Sequence, residues 1–114
     1  MSILDILIIP DKRLKYKSSK VFNFDNDLKN TVKDLFDTLY DSGNGIGLAA
    51  PQVGITKRIV VIDLKEDGEK RPTIFINPRI IKFSETKAVN EEGCLSIPGY
   101  YGDVERYETI EVEW

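Results

Sequence analysis

Apolar residues recur at helical spacing in one segment of the chain. From Asp25 onward they lie three or four positions apart, as on one face of an α-helix, at Leu28, Val32, Leu35, Phe36, Leu39 and Tyr40. Asp25 or Asn26 can cap the start of such a helix, and Gly43 can end it. We therefore expect one helix in this part of the chain.

Other segments follow the two-residue period of strands. Strands are predicted at residues 58–64, 73–77, 80–83, 88–97 and 104–114, with a turn at Asp67 and Gly68. The basic stretch 12–20 has no sustained period and is interpreted as irregular surface. One helix with several antiparallel strands predicts an α+β fold, in a single domain over residues 1–114.

Between the helix and the first of these strands lies GNGIGLAAPQVG, residues 43–54. Its glycines and proline predict a shaped loop rather than regular helix or strand. The GxG within it is only weak evidence for nucleotide binding, and we reject that interpretation. The loop follows a helix, precedes a strand and lacks GK[ST], unlike the known nucleotide-binding motifs. Two interpretations stay open: a loop that admits another backbone beside Gln52, or a glycine-rich connection with a surface glutamine.

Composition and charge narrow the classes of partner. The 114 residues are 41% hydrophobic and 31% charged, and the formal net charge is −3. The sixteen Lys and Arg residues are scattered, so no basic stripe suggests nucleic-acid binding. The N-terminal ILDILII run is short and contains Asp5, which is not typical of a signal peptide or membrane span. A lone cysteine fits a reducing compartment, and we expect a cytoplasmic protein.

Cys94 is the only cysteine, and the chain has no histidine. A lone cysteine in an apolar strand is most often a small buried hydrophobic residue. A nucleophilic or metal-binding thiolate needs a base or further ligands. Glu92 would share a strand face with Cys94, but a site with two ligands is not convincing. The residues alone leave the role of Cys94 open.

Together, GIGLAAPQVG and EEGCLSIPG resemble the first two signature motifs of the peptide deformylase family, at the separation found in that family. The similarity extends over nearly the whole chain and implies the α+β fold of that family without its C-terminal helix. It also implies hydrolytic removal of the formyl group from N-terminal formylmethionine of nascent polypeptides. Family members use Fe²⁺ or Zn²⁺ held by one cysteine and two histidines.

The resemblance assigns roles to individual residues. Cys94 would be the thiolate ligand of the metal. The Gln52 side-chain amide and the Leu95 backbone N–H would hold the developing oxyanion. The Ile46 and Gly47 backbone would bind an extended peptide.

On the second motif, Gly93 would also offer backbone to the peptide, and Glu92 would pair with Arg106. Many family members carry an arginine near the substrate shortly after the cysteine motif. This chain has Tyr100 and Tyr101 there instead. The resemblance therefore leaves that substrate contact unassigned.

The family's third motif, H-E-x-x-H, is absent, and with it both imidazole ligands. The 114-residue chain alone is therefore expected to be inactive. Three interpretations remain: a C-terminally truncated deformylase, a catalytically dead peptide-binding module, or half of an enzyme whose histidines come from another chain. The expected partners are formylmethionyl nascent polypeptides, with ribosome association an option and neither nucleic acid nor membrane bound directly.

Overall fold

The computed structural model describes residues 3–43, 45–64 and 70–113. Within these ranges the chain forms one α-helix, α1 (Asn26–Asp41), two short 3₁₀ turns (Lys12–Lys15 and Ala50–Val53) and seven strands. The strands are β1 (Gly47–Ala49), β2 (Ile59–Ile62), β3 (Thr73–Ile76), β4 (Arg79–Phe83), β5 (Lys87–Cys94), β6 (Ile97–Tyr107) and β7 (Ile110–Glu113). The α+β prediction is confirmed.

Helix α1 begins where the sequence indicates. The Asp25 carboxylate accepts a hydrogen bond from the Leu28 backbone N–H at 3.0 Å, which satisfies one of the unpaired donors of the first turn. The helix ends at Asp41, two residues before Gly43. Both ends of the predicted helix are therefore confirmed.

The strands form three antiparallel sheets. Strands β1, β2 and β3 pair in that order, while β4 pairs with β7 and β5 pairs with β6. Strand β2 is central in the first sheet, and its residues alternate between buried and half-buried positions. The two-stranded sheets are exposed along most of their length.

The hydrophobic core lies between α1 and the three-stranded sheet. Its buried apolar members are Val21, Leu35, Leu39, Leu48, Ala50, Ile59 and Val61. Leu95, from the turn between β5 and β6, packs against the edge of this core. The core thus holds one end of the β5–β6 hairpin in place.

Several boundaries differ from the sequence prediction. The strand predicted at 104–114 is interrupted at residues 108–109, where β6 ends and β7 begins with a different partner. The strand predicted at 88–97 crosses a turn at Leu95 and Ser96. The loop at 43–54 contains a short strand and a 3₁₀ turn, and the stretch 12–20 contains another 3₁₀ turn. The turn predicted at Asp67 and Gly68 lies outside the described residues.

None of the helices in the described ranges combines the length and the apolar character that crossing a membrane requires.

Candidate active site

An open cleft of about 650 Å³ lies between the two sequence motifs. One wall is formed by residues 45–47 with Gln52, and the other by residues 91–95 and 97–101 of the β5–β6 hairpin. Strand β1 pairs only with β2, and β5 pairs only with β6, among the described strands. Two sheet edges therefore border one cleft.

Cys94 is the last residue of β5 and is exposed to this cleft. The hairpin register shifts between Gly93 and Cys94, so that Cys94 pairs with Ile97 across a tight turn. The interpretation of Cys94 as a small buried hydrophobic residue is therefore wrong. The register shift places the thiol directly beside the turn, opposite Ile97, on a hairpin that is exposed along most of its length.

Two glycines lie against neighbouring side chains that leave little room for a Cβ atom. A Cβ atom on Gly93 would lie 2.6 Å from Cε1 of Tyr101, whose ring covers that backbone. A Cβ atom on Gly45 would lie 3.0 Å from Cδ1 of both Leu39 and Leu95. These contacts bring the helix end, the first motif and the hairpin turn together at one end of the cleft.

The Gln52 side chain connects the two motifs. Its Oε1 accepts a hydrogen bond from the Ala49 backbone N–H at 3.0 Å. Its Nε2 donates to Cys94 Sγ at 3.5 Å and to Ser96 Oγ at 3.1 Å. Residues that are 42 positions apart in the sequence thus meet at hydrogen-bonding distance.

The N-terminal segment fixes both motif loops through backbone hydrogen bonds. The Leu7 N–H donates to the Gln52 carbonyl at 2.7 Å, and the Ile9 N–H donates to the Ser96 carbonyl at 3.0 Å. One extended segment therefore holds the Gln52 turn and the Cys94 turn at a fixed separation.

Ser96 was not identified by the sequence reasoning. It is 3% exposed and lies in the turn directly after the candidate oxyanion donor Leu95. The available signal was a small polar residue between Leu95 and Ile97 in the cysteine motif. Its contact with Gln52 depends on long-range packing, which the motif does not reveal.

The remaining residues suggested by sequence lie on the cleft as well. Ile46 and Gly47 line one wall, and Gly93 lies on the other. The Ile46 side chain is exposed, while its carbonyl accepts a hydrogen bond from the Asp63 N–H at 2.8 Å. The bond to Asp63 fixes the backbone of this wall against the end of β2.

Glu92 and Arg106 form a bidentate ion pair on the β5–β6 hairpin. Arg106 Nε donates to Glu92 Oε2 at 2.6 Å, and Nη2 donates to Oε1 at 2.7 Å. Hydrogen bonding from this guanidinium lowers the pKa of Glu92 below its ordinary value. Both carboxylate oxygens of Glu92 are therefore engaged by a cation beside the cleft.

The described residues do not provide a complete metal site. No group of three or more histidine, cysteine, aspartate and glutamate side chains is placed to hold an ion in the described ranges. The chain has no histidine, and the carboxylate beside Cys94 is paired with Arg106. One exposed thiol is a single donor, whereas protein metal sites of this type use three or four.

Comparison with known proteins identifies the family. The family model for polypeptide deformylase matches residues 3–114. The chain belongs to the peptide deformylase family. A peptide deformylase of Alkalilimnicola ehrlichii is 50% identical over 96% of the chain, and one of Rhizobium meliloti is 46% identical over its whole length. The recognition from the two motifs is thus confirmed.

Solved deformylase structures share the same architecture. The structure of the Thermotoga maritima peptide deformylase matches with a TM-score of 0.91 and 37% identity, covering 98% of the chain. A Legionella pneumophila peptide deformylase matches with a TM-score of 0.90 and 42% identity, covering 97%. The chain spans 73% and 64% of those two structures. It spans 61% and 66% of the Alkalilimnicola and Rhizobium deformylases.

Proposed function

We propose that this chain forms the formylmethionine-binding part of a peptide deformylase, which removes the formyl group from newly made polypeptides. The observation that carries the proposal is the Gln52 amide, which lies 3.5 Å from the Cys94 thiol on the wall of an open cleft. Family membership supports the same chemistry. The natural partners would then be formylmethionyl nascent polypeptides in the cytoplasm, with ribosome association an option.

The formyl oxygen would lie against Gln52 and Leu95. The Nε2 group of Gln52 faces the thiol, and the Leu95 backbone follows Cys94 directly. Donors fixed in this way stabilise negative charge on an oxygen as it develops, because they need no reorganisation during the reaction. Gln52 and Leu95 are therefore assigned as oxyanion donors.

The peptide would bind as an added strand. The Ile46 and Gly47 backbone lies on one wall of the cleft, and Gly93 lies on the other. Each wall belongs to, or adjoins, an edge strand of its sheet among the described strands. Backbone hydrogen bonds to both edges would hold many different peptides, because they do not depend on side-chain identity.

Deformylases use a divalent metal, Fe²⁺ or Zn²⁺ by resemblance, which supplies Lewis acidity and an activated water. Cys94 would be one ligand through its thiolate. The described residues do not complete the site, since they offer no imidazole and Glu92 is paired with Arg106. Hydrolysis would therefore need two ligands that the 114-residue sequence does not contain. The alternative, a peptide-binding module without catalysis, follows from the same incomplete donor set.

The test measures catalysis and binding separately. The purified chain, incubated with Fe²⁺, Co²⁺ or Ni²⁺, is assayed for formate release from a formyl-Met peptide, and no turnover is expected. Calorimetry with the same peptide is expected to show saturable binding that is stronger than for the unformylated peptide. Replacing Gln52 with leucine should weaken formyl-peptide binding about three- to tenfold, as expected for one hydrogen bond.

The outcomes separate the interpretations. Efficient turnover by this chain alone would show that the argument from missing ligands is wrong. Binding without preference for the formyl group would contradict the assigned role of Gln52. Absence of any saturable binding would remove both the substrate-site proposal and the peptide-binding alternative.

A further inference from the structure

Ser96 lies behind the cleft rather than on it. Its side chain is 3% exposed, and it is not among the residues that line the cleft. The hydroxyl is nevertheless 3.1 Å from Gln52 Nε2. Because Ser96 is buried and Gln52 lines the cleft, the Ser96 hydroxyl can affect a bound ligand only through the Gln52 amide.

The orientation of the Gln52 amide follows from its three contacts. The Ala49 backbone N–H can only donate, so the atom that faces it at 3.0 Å must be the amide oxygen. The NH₂ group then points to the other side, toward Ser96 Oγ and Cys94 Sγ. An amide turned by 180° would place a donor against a donor at Ala49.

The NH₂ group has two protons and two neighbours. One proton points to Ser96 Oγ in the buried turn, and the other points to Cys94 Sγ at the cleft. We propose that Ser96 is a positioning residue, whose hydroxyl binds the inner proton of Gln52 and so presents the outer proton to the formyl oxygen. This role rests on the proposed function of Gln52 as an oxyanion donor.

The sequence permits a direct test, because Gln52 is the only glutamine in the chain. Selective ¹⁵N labelling of glutamine gives a single side-chain NH₂ group in the NMR spectrum. In the unmodified chain, the inner proton should exchange with solvent at least tenfold more slowly than the outer proton. In Ser96→Ala, we expect the two exchange rates to converge and the inner proton resonance to move.

A matched control is Ser84→Ala. Ser84 Oγ is also hydrogen-bonded, but it donates to the Thr86 carbonyl and accepts from the Thr109 N–H, and neither bond involves Gln52. This substitution should leave the Gln52 NH₂ signals unchanged. If Ser96→Ala does not fold, Ser96→Cys keeps the size of the side chain with a weaker acceptor, and an intermediate convergence is expected.

The second measurement is the preference for a formyl-Met peptide over the unformylated peptide. Ser96→Ala should reduce this preference about three- to tenfold, while binding of the unformylated peptide stays within twofold. Unchanged Gln52 signals in a folded Ser96 variant would overturn the proposal, whether or not peptides bind. Changed signals in a chain that shows no formyl preference would retain the positioning of the amide and overturn the proposed function instead.

Discussion

Residues 21–63 and residues 79–113 are built in different ways. All the buried hydrophobic side chains of the described chain lie in the first region, between Val21 and Val61. In the second region Ser96 is the only buried residue among those described. The first region has a hydrophobic core, whereas the second consists of two antiparallel two-stranded sheets that are largely exposed.

The difference shows how the candidate site is supported. The core fixes the first motif, because Leu48 and Ala50 on either side of Ala49 are buried. The second motif reaches that core through Leu95 at the tip of its hairpin, and through the Ser96 carbonyl, which binds the Ile9 N–H. The position of Cys94 thus depends on a few contacts at one end of the exposed β5–β6 hairpin. It should be more sensitive to nearby substitutions than the position of the first motif.

The largest expected effect compares two isoleucines. Ile59 on β2 is 1% exposed, and Ile80 on β4 is 57% exposed. Ile59→Ala should lower the free energy of unfolding by about 2–5 kcal/mol, because it removes buried methyl groups and leaves a cavity. Ile80→Ala should lower it by less than about 1 kcal/mol. Urea denaturation followed by circular dichroism measures both.

Equal losses for the two isoleucine variants would contradict the difference between the buried β2 and the exposed β4. They would mean that the exposed face of β4 is buried against something in solution. A concentration-dependent midpoint for Ile80→Ala would point to a second copy of the chain as that covering surface.

The next effect concerns a polar pair of the first region, the half-buried Tyr40 and the buried Asp63. Tyr40 donates a hydrogen bond to the Asp63 carboxylate at 2.6 Å, and Asp63 is fully buried. Burial and this carboxylate raise the pKa of Tyr40 to about 12. The folded state therefore keeps the phenol proton at a pH where the unfolded chain releases it, so stability should fall as pH rises from about 10 to about 12.

The matched variant is Tyr40→Phe. It should lower the free energy of unfolding by about 1–3 kcal/mol at neutral pH, because it removes one hydrogen-bond donor from the buried Asp63 carboxylate. The stability difference between the unmodified chain and this variant should shrink steadily above pH 10. Parallel stability curves between pH 9 and pH 11.5 would show that the phenol proton is not held by the fold.

A third effect lies at the junction of the two regions. Asn77, between β3 and β4, has a positive φ of 55°. Its side chain accepts from the Val21 N–H at 2.7 Å and donates to the Val21 carbonyl at 2.9 Å. Asn77→Ala should lower the free energy of unfolding by about 1–3 kcal/mol, because the Val21 N–H and carbonyl lose these hydrogen bonds. Alanine is also disfavoured at a positive φ, where asparagine is better tolerated.

Asn77→Gly separates the two causes. Glycine accepts the positive φ without strain but also lacks the amide. If strain contributes, the alanine variant should be less stable than the glycine variant in the same urea titration. A glycine variant as stable as the unmodified chain would show that the hydrogen bonds to Val21 contribute nothing measurable.

The same division explains what the sequence could predict. Helix α1 was predictable at both ends, because its apolar stripe and the Asp25 cap are local features. The break at residues 108–109 was not, because alternation continues across it and only pairing with a different strand marks it. The pairing of Cys94 with Ile97 follows a register shift, and the Gln52–Ser96 contact joins residues 44 positions apart. Local patterns carry no information about either.

The smallest effect tests the ion pair of the exposed hairpin. Glu92→Gln removes the carboxylate that accepts two hydrogen bonds from Arg106. Glu105→Gln is the control, because Lys87 and Glu105 form a longer ion pair of 3.6 Å on the same hairpin. Exposed pairs contribute little because water and salt screen them, so Glu92→Gln should destabilise less than Ile59→Ala, Tyr40→Phe or Asn77→Ala, and Glu105→Gln less still. Arg106 lowers the pKa of Glu92, so the stabilisation is present above the ordinary value of 4.5 and is lost as pH falls through the lowered value. The stability difference between the unmodified chain and Glu92→Gln, measured by urea titration, should therefore shrink on acidification and in high salt. A loss of unfolding free energy in Glu92→Gln as large as that in Ile59→Ala would contradict this expectation. It would show that the β5–β6 hairpin depends on its charges as strongly as the first region depends on its core.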